Sequence, residues 1–128
     1  MIDNRSRSFL FMAIAACAIA ISPRPAHAHA FPSAEDPKVG STLQTPPSRV
    51  VITFDSPIES LFAKLAVVGP SGDDVTAGAP AVDANTRQLS VPLRALKPGE
   101  YTVRWSVVAE DSHRTEGSYT FDVAGPSQ

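Results

Sequence analysis

Two histidines near opposite ends of the chain carry the chemistry that this sequence offers. His29 follows Ala26-His27-Ala28, and His113 closes the run Asp111-Ser112-His113. Once proteolysis frees His29 as a first residue, its α-amine and imidazole form one chelate, because an amine with a pKa of about 8 gives up its proton readily to a divalent ion. Asp111 and His113 alternate with Ser112, so their side chains can lie on one side of an extended segment and meet the same ion. Two imidazoles, an amine and a carboxylate make an N,O donor set. Such a set favours Cu(II) in tetragonal geometry, since Cu(II) heads the Irving–Williams order; tetrahedral Zn(II) is the alternative. Taken singly, an Asp-x-His is commonly a solvated turn in which Asp caps backbone N–H groups, and a terminal histidine can sit in a disordered tail. The conjunction carries the reading, because the two histidines left after a cut behind Ala28 are the two that the site needs. The acidic pairs Glu35-Asp36 and Asp73-Asp74 read as solvated surface, and Tyr101 and Trp105 as core.

The cut itself is predicted from the first 28 residues, which read as a secretory signal peptide. Arg5 and Arg7 form a basic start, residues 9–21 an apolar run, and Ala26-His27-Ala28 the small-x-small pattern of a cleavage site. The run is shorter than the roughly 20 residues that a membrane-spanning helix requires, and polar, proline-rich sequence follows it. An exported, unanchored protein is expected. A competing cut lies at Ile14-Ala15-Ala16-Cys17, which resembles a lipobox and would leave a lipidated Cys17 with His29 inside the chain. That cut would fall within the apolar run and leave residues 18–21 as an apolar tether.

Residues 29–128 suit one small domain. Removing Arg5, Arg7, Arg24 and Asp3 from totals of 11 basic and 13 acidic residues leaves 8 and 12, a net charge of −4, which argues against nucleic acid as a partner. Met1, Met12 and Cys17 all precede the cut, so the processed domain has no sulfur ligand and no disulfide. A monomer stabilised by packing alone is expected.

The elements that must position the site read as β throughout. Val50-Val51-Ile52-Thr53-Phe54 follows the turn Pro46-Pro47-Ser48, and Ala63, Leu65 and Val67 alternate with Lys64 and Ala66 before Gly69-Pro70-Ser71-Gly72. Leu89, Val91 and Leu93 alternate with Ser90, Pro92 and Arg94, and Pro92, which cannot donate to a ladder, predicts an edge strand there. Tyr101, Val103, Trp105 and Val107 fall on one face of the clearest strand, and Tyr119, Phe121 and Val123 repeat the pattern after Gly117. The Pro98-Gly99 turn leading to Tyr101 matches the tyrosine corner of immunoglobulin-like sandwiches and predicts a bond from the Tyr101 hydroxyl to nearby backbone. Residues 77–85 read as a polar loop of small residues. No stretch sustains helical spacing, and the fold class is all-β: a small Greek-key barrel or an immunoglobulin-like sandwich.

With these residues in hand, the chain resembles the CopC family of periplasmic copper-binding proteins over nearly all of 29–128. The resemblance is carried by the initial histidine, a turn expected at Ala34 to Pro37, the strand Pro47-Ser48-Arg49-Val50-Val51-Ile52-Thr53-Phe54, the run from Leu96 to Val107, Asp111-Ser112-His113, and Gly117-Ser118-Tyr119-Thr120-Phe121-Asp122-Val123. It implies Cu(II) ligation by His29 (amine and imidazole), Asp111 and His113, a role in copper resistance or homeostasis in the periplasm, and an inner-membrane copper transporter of the CopD type as a partner. Two positions depart from the family pattern. Phe54 is followed by Asp55-Ser56-Pro57 where the family has Ser-Glu-Pro, so that an outer carboxylate is either lost or supplied by Asp55, and Arg114 replaces a proline after His113. Somewhat weaker or differently tuned binding is expected. The methionine-rich Cu(I) site that some members carry has no counterpart in residues 29–128. A binding protein is therefore expected, not an enzyme. The alternatives are an oxidative copper enzyme using an amine-imidazole pair and a structural sandwich module without metal.

Overall fold

The computed structural model describes residues 29–126. The expected signal peptide over 1–28, with the competing lipobox at Cys17, lies outside the described residues. Eight strands follow in order: β1 Pro32–Asp36, β2 Thr42–Leu43, β3 Arg49–Phe54, β4 Lys64–Val68, β5 Ala81–Val82, β6 Gln88–Pro92, β7 Gly99–Val108 and β8 Arg114–Val123, with one short 3-10 turn at Ser60–Phe62. They form two four-stranded sheets, ordered β1-β3-β6-β5 and β2-β8-β7-β4. Of the two expected all-β architectures, the sandwich is the one observed. Among the described residues no helix is long and apolar enough to cross a membrane.

Alternation in the sequence becomes alternation of faces. On β7 the residues Tyr101, Val103, Trp105 and Val107 are buried, and on β8 Tyr119, Phe121 and Val123 join them, opposed by Val50, Ile52 and Phe54 of β3 and Leu89 and Val91 of β6. Fully burying each such side chain contributes about 1.5–3 kcal/mol, so the inner faces hold the sheets together without a cross-link. Phe54 and Trp105 meet edge to face across the layers at a centroid distance of 5.4 Å, and Tyr101 stacks on its register partner Phe121 at 5.5 Å. The Tyr101 hydroxyl donates to the Lys97 carbonyl at 2.6 Å, the corner bond that the Pro98-Gly99 turn predicts.

Three expectations are corrected. The turn expected at Ala34 to Pro37 is strand as far as Asp36: these residues belong to β1, and β1 pairs antiparallel with β3 through Glu35↔Ile52 and Asp36↔Val51. Strand pairing, not its own hydrophobicity, makes this segment extended. Pro92 does not mark an edge strand: β6 lies between β3 and β5. Proline is accommodated there as the last residue of β6, beyond the two residues paired with β5, and its carbonyl accepts from Ala77 N–H at 2.8 Å. Residues 77–85 are not wholly loop, since β5 lies within them. The Asp73-Asp74 region is surface, as expected, with Asp74 Oδ1 accepting from both the backbone N–H and the hydroxyl of Thr76.

Candidate metal centre

The site is assembled from the N-terminal arm and the β7–β8 hairpin. The β7–β8 hairpin turns through Ala109–His113, closed by Ala109 N–H donating to His113 O at 2.9 Å and Ser112 N–H donating to Ala109 O at 2.9 Å. Ser112 takes a φ of 72°, the left-handed conformation that lets so tight a connection reverse. The turn is aimed by its strands. Ten consecutive register pairs, from Gly99↔Val123 to Val108↔Arg114, fix where the hairpin ends.

Within the turn Asp111 holds His113 twice. Its Oδ1 accepts the His113 backbone N–H at 3.1 Å, and its Oδ2 lies 3.1 Å from His113 Nδ1. Both residues stay open to solvent. Desolvation pushes the Asp111 carboxyl upward, but the two His113 bonds and the nearby His113 and His29 charges outweigh it and hold the group below its ordinary range. The carboxylate is thus kept in its ionised, electron-donating form.

His29 arrives from the N-terminal arm. Its ring meets the His113 ring edge to face at a centroid distance of 4.6 Å, and the Phe31 ring edge to face at 6.2 Å. Behind it Ala30 is fully buried, and its carbonyl accepts from the Thr115 hydroxyl at 2.6 Å. Phe31 is held by Asp55 in both directions: its N–H donates to Asp55 Oδ1 and its carbonyl accepts from Asp55 N–H, each at 2.9 Å. One donor atom from each of His29, Asp111 and His113 can be chosen so that all lie within 4.8 Å of one another. The structure therefore brings together all three residues singled out from the sequence. Their N,O chemistry fits a divalent transition metal, and no cysteine or methionine falls within residues 29–126 to add a soft ligand.

Two residues of this assembly carry weight that sequence reasoning did not give them. The sequence offers Asp55 only as a substitute outer carboxylate; its carboxylate instead secures the backbone two residues beyond His29. Thr115 was not singled out. The one available signal was its position two residues after His113, at the start of the strand that leaves the turn. Arg114 begins β8 opposite Val108, on the face away from Thr115, so its charge is not aimed where the hydroxyl is.

A family model of the CopC domain matches residues 33–124. The chain belongs to the CopC family. Protein YobA of Escherichia coli strain K12 is 36% identical over 89 residues, which cover 68% of this chain and 72% of YobA. YobA of Shigella flexneri matches to the same extent. Among solved structures, CopC from Methylosinus trichosporium OB3b superposes with a TM-score of 0.71 at 24% identity, covering 78% of this chain and 98% of that one. PcoC, a methionine-rich copper resistance protein from Escherichia coli, superposes with a TM-score of 0.65 at 24% identity, covering 75% and 99%. The CopC match includes Asp111 and His113 and begins after His29.

Proposed function

We propose that this CopC-family chain is an exported copper-binding protein of copper resistance or homeostasis, holding Cu(II) between His29, Asp111 and His113 in the periplasm. Cleavage behind Ala28 would add the α-amine of His29 as a second donor from that residue. The observation that carries the reading is the convergence of His29 on the Asp111–His113 turn, with donor atoms from chain positions more than 80 residues apart lying within 4.8 Å of one another. Copper is cargo here, not a reactant, and the protein acts as a monomeric carrier that sequesters the ion or passes it to an inner-membrane transporter of the CopD type.

The description of PcoC as a copper resistance protein supports the metal, and the contrast with its methionine richness supports the oxidation state. Residues 29–126 lack thioethers and thiols, so the donors available are the hard and borderline ones that suit Cu(II). Intact mass of the exported protein should give a chain starting at His29. Titration with Cu(II) against a competing chelator should then give one saturable site, weakened at least ~10-fold by His113→Ala and comparably by one extra residue before His29. Unchanged binding by the extended protein would exclude the amine as a ligand, and the absence of any saturable site would overturn the copper reading. Oxygen consumption with ascorbate and polysaccharide, if copper-dependent, would favour an enzyme instead.

A further inference from the structure

We propose that Thr115 is a positioning residue, whose hydroxyl holds His29 in register with the Asp111–His113 turn. The inference rests on the reading of those three residues as one metal site, and it concerns a side chain that is not itself a donor. The sheet ladder of β1 begins at Pro32, so His29 and Ala30 lie beyond its pairing. Something else must set where the arm ends. The Ala30 carbonyl, one residue from His29, accepts a 2.6 Å bond from Thr115, one residue past Arg114 and two past His113.

That bond joins the two halves of the site by a short path. From the His29 backbone it runs through Ala30 to the Thr115 hydroxyl and back along β8 to His113. Both anchors are firm. Ala30 is fully buried, and Thr115 is locked in register opposite Val107, which is also fully buried. Because Thr115 stands on a strand paired along ten residues, the hydroxyl transmits the position of the hairpin directly to the arm. Asp55 grips Phe31, one residue farther from His29 than the Ala30 carbonyl that Thr115 holds. Ligand sets held by packed outer partners lose affinity when the partner is removed, because the ligands must then be ordered at the moment of binding.

The test uses the exported protein beginning at His29, with Thr115→Val, which keeps the shape and removes the hydroxyl, and Thr115→Ser, which keeps the hydroxyl. In metal-free protein, NMR contacts between the His29 and His113 rings should be present in the wild type, lost in Thr115→Val and restored in Thr115→Ser. Competition titration should show Cu(II) affinity reduced ~10-fold or more in Thr115→Val and recovered in Thr115→Ser, with the Cu(II) electron paramagnetic resonance spectrum broadened only in the valine variant. Retention of both ring contact and affinity by Thr115→Val would overturn the proposal, as would a serine variant that behaves like valine. A wild type that binds no Cu(II), yet loses the ring contact on Thr115→Val and regains it with serine, would leave the positioning role standing and sink the copper reading.

Discussion

Asp111 and His113 form a closed ring of contacts, with one carboxylate oxygen on the His113 backbone N–H and the other on its imidazole Nδ1, both at 3.1 Å. The carboxylate therefore orients the imidazole as well as standing beside it.

Replacing Asp111 separates these two roles. Asp111→Asn keeps an oxygen for the backbone N–H but loses the charge, whereas Asp111→Ala loses both. Cu(II) affinity by competition titration should fall in the order wild type, Asn, Ala, with the alanine variant weaker by ~10–100-fold. Equal affinity for all three would show that the carboxylate neither ligates nor orients.

Asp55 anchors the arm through an exposed but two-way contact with Phe31. Removing one such hydrogen bond costs about 1 kcal/mol, so Asp55→Ala should lower the urea unfolding free energy by roughly that amount, and Asp55→Asn, which keeps an acceptor, by less. The amide of Phe31 should exchange with solvent faster in the alanine variant.

At Gly117 a methyl group has no room. A Cβ there would lie 2.8 Å from Trp105 Cζ2, in the register pair Trp105↔Gly117. Gly117→Ala should destabilise the fold by about 1–3 kcal/mol, with a shift in tryptophan fluorescence as the indole is displaced from its packing on Phe54.

The parts of this fold that were legible in the sequence are those whose residues carry their own periodicity. β7 and β8 announce themselves through Tyr101, Val103, Trp105 and Val107 and through Tyr119, Phe121 and Val123, and the tyrosine corner follows from Pro98-Gly99. β1 does not, because Pro32-Ser33-Ala34-Glu35-Asp36 has no apolar alternation and owes its extension to β3; β5 is too short to show a pattern. The same division runs through the site. His29, Asp111 and His113 were found because their side chains name their chemistry. The anchoring roles of Thr115 and Asp55 were not, because a hydroxyl or carboxylate bonded to backbone 85 or 24 residues away is a product of the fold and leaves no mark in local spacing.

Tyr119 gives the fold a vulnerability to alkali. Its hydroxyl is buried without a hydrogen-bond partner; desolvation first, and then the charges of Glu35 and Asp36, push its ionisation well above the ordinary 10.0. The folded state holds this proton more tightly than the unfolded chain does. Stability is therefore complete below pH 10 and declines as pH rises beyond it, by about 1.4 kcal/mol per pH unit for this group. Tyr101, also raised by burial, adds to the slope. Urea unfolding between pH 9 and 11 should show this decline, shallower in Tyr119→Phe, which at neutral pH should be at least as stable as the wild type because an unsatisfied hydroxyl is removed.

The left-handed backbone at Ser112 limits what the tip of the hairpin can become. Although position 112 is exposed, a library randomised there and selected for folding should return glycine, asparagine, aspartate and serine and reject valine and isoleucine, whose branched side chains clash with a positive φ. The spacer between the carboxylate and the imidazole is thus constrained by the bend it makes, with no contribution from its side chain.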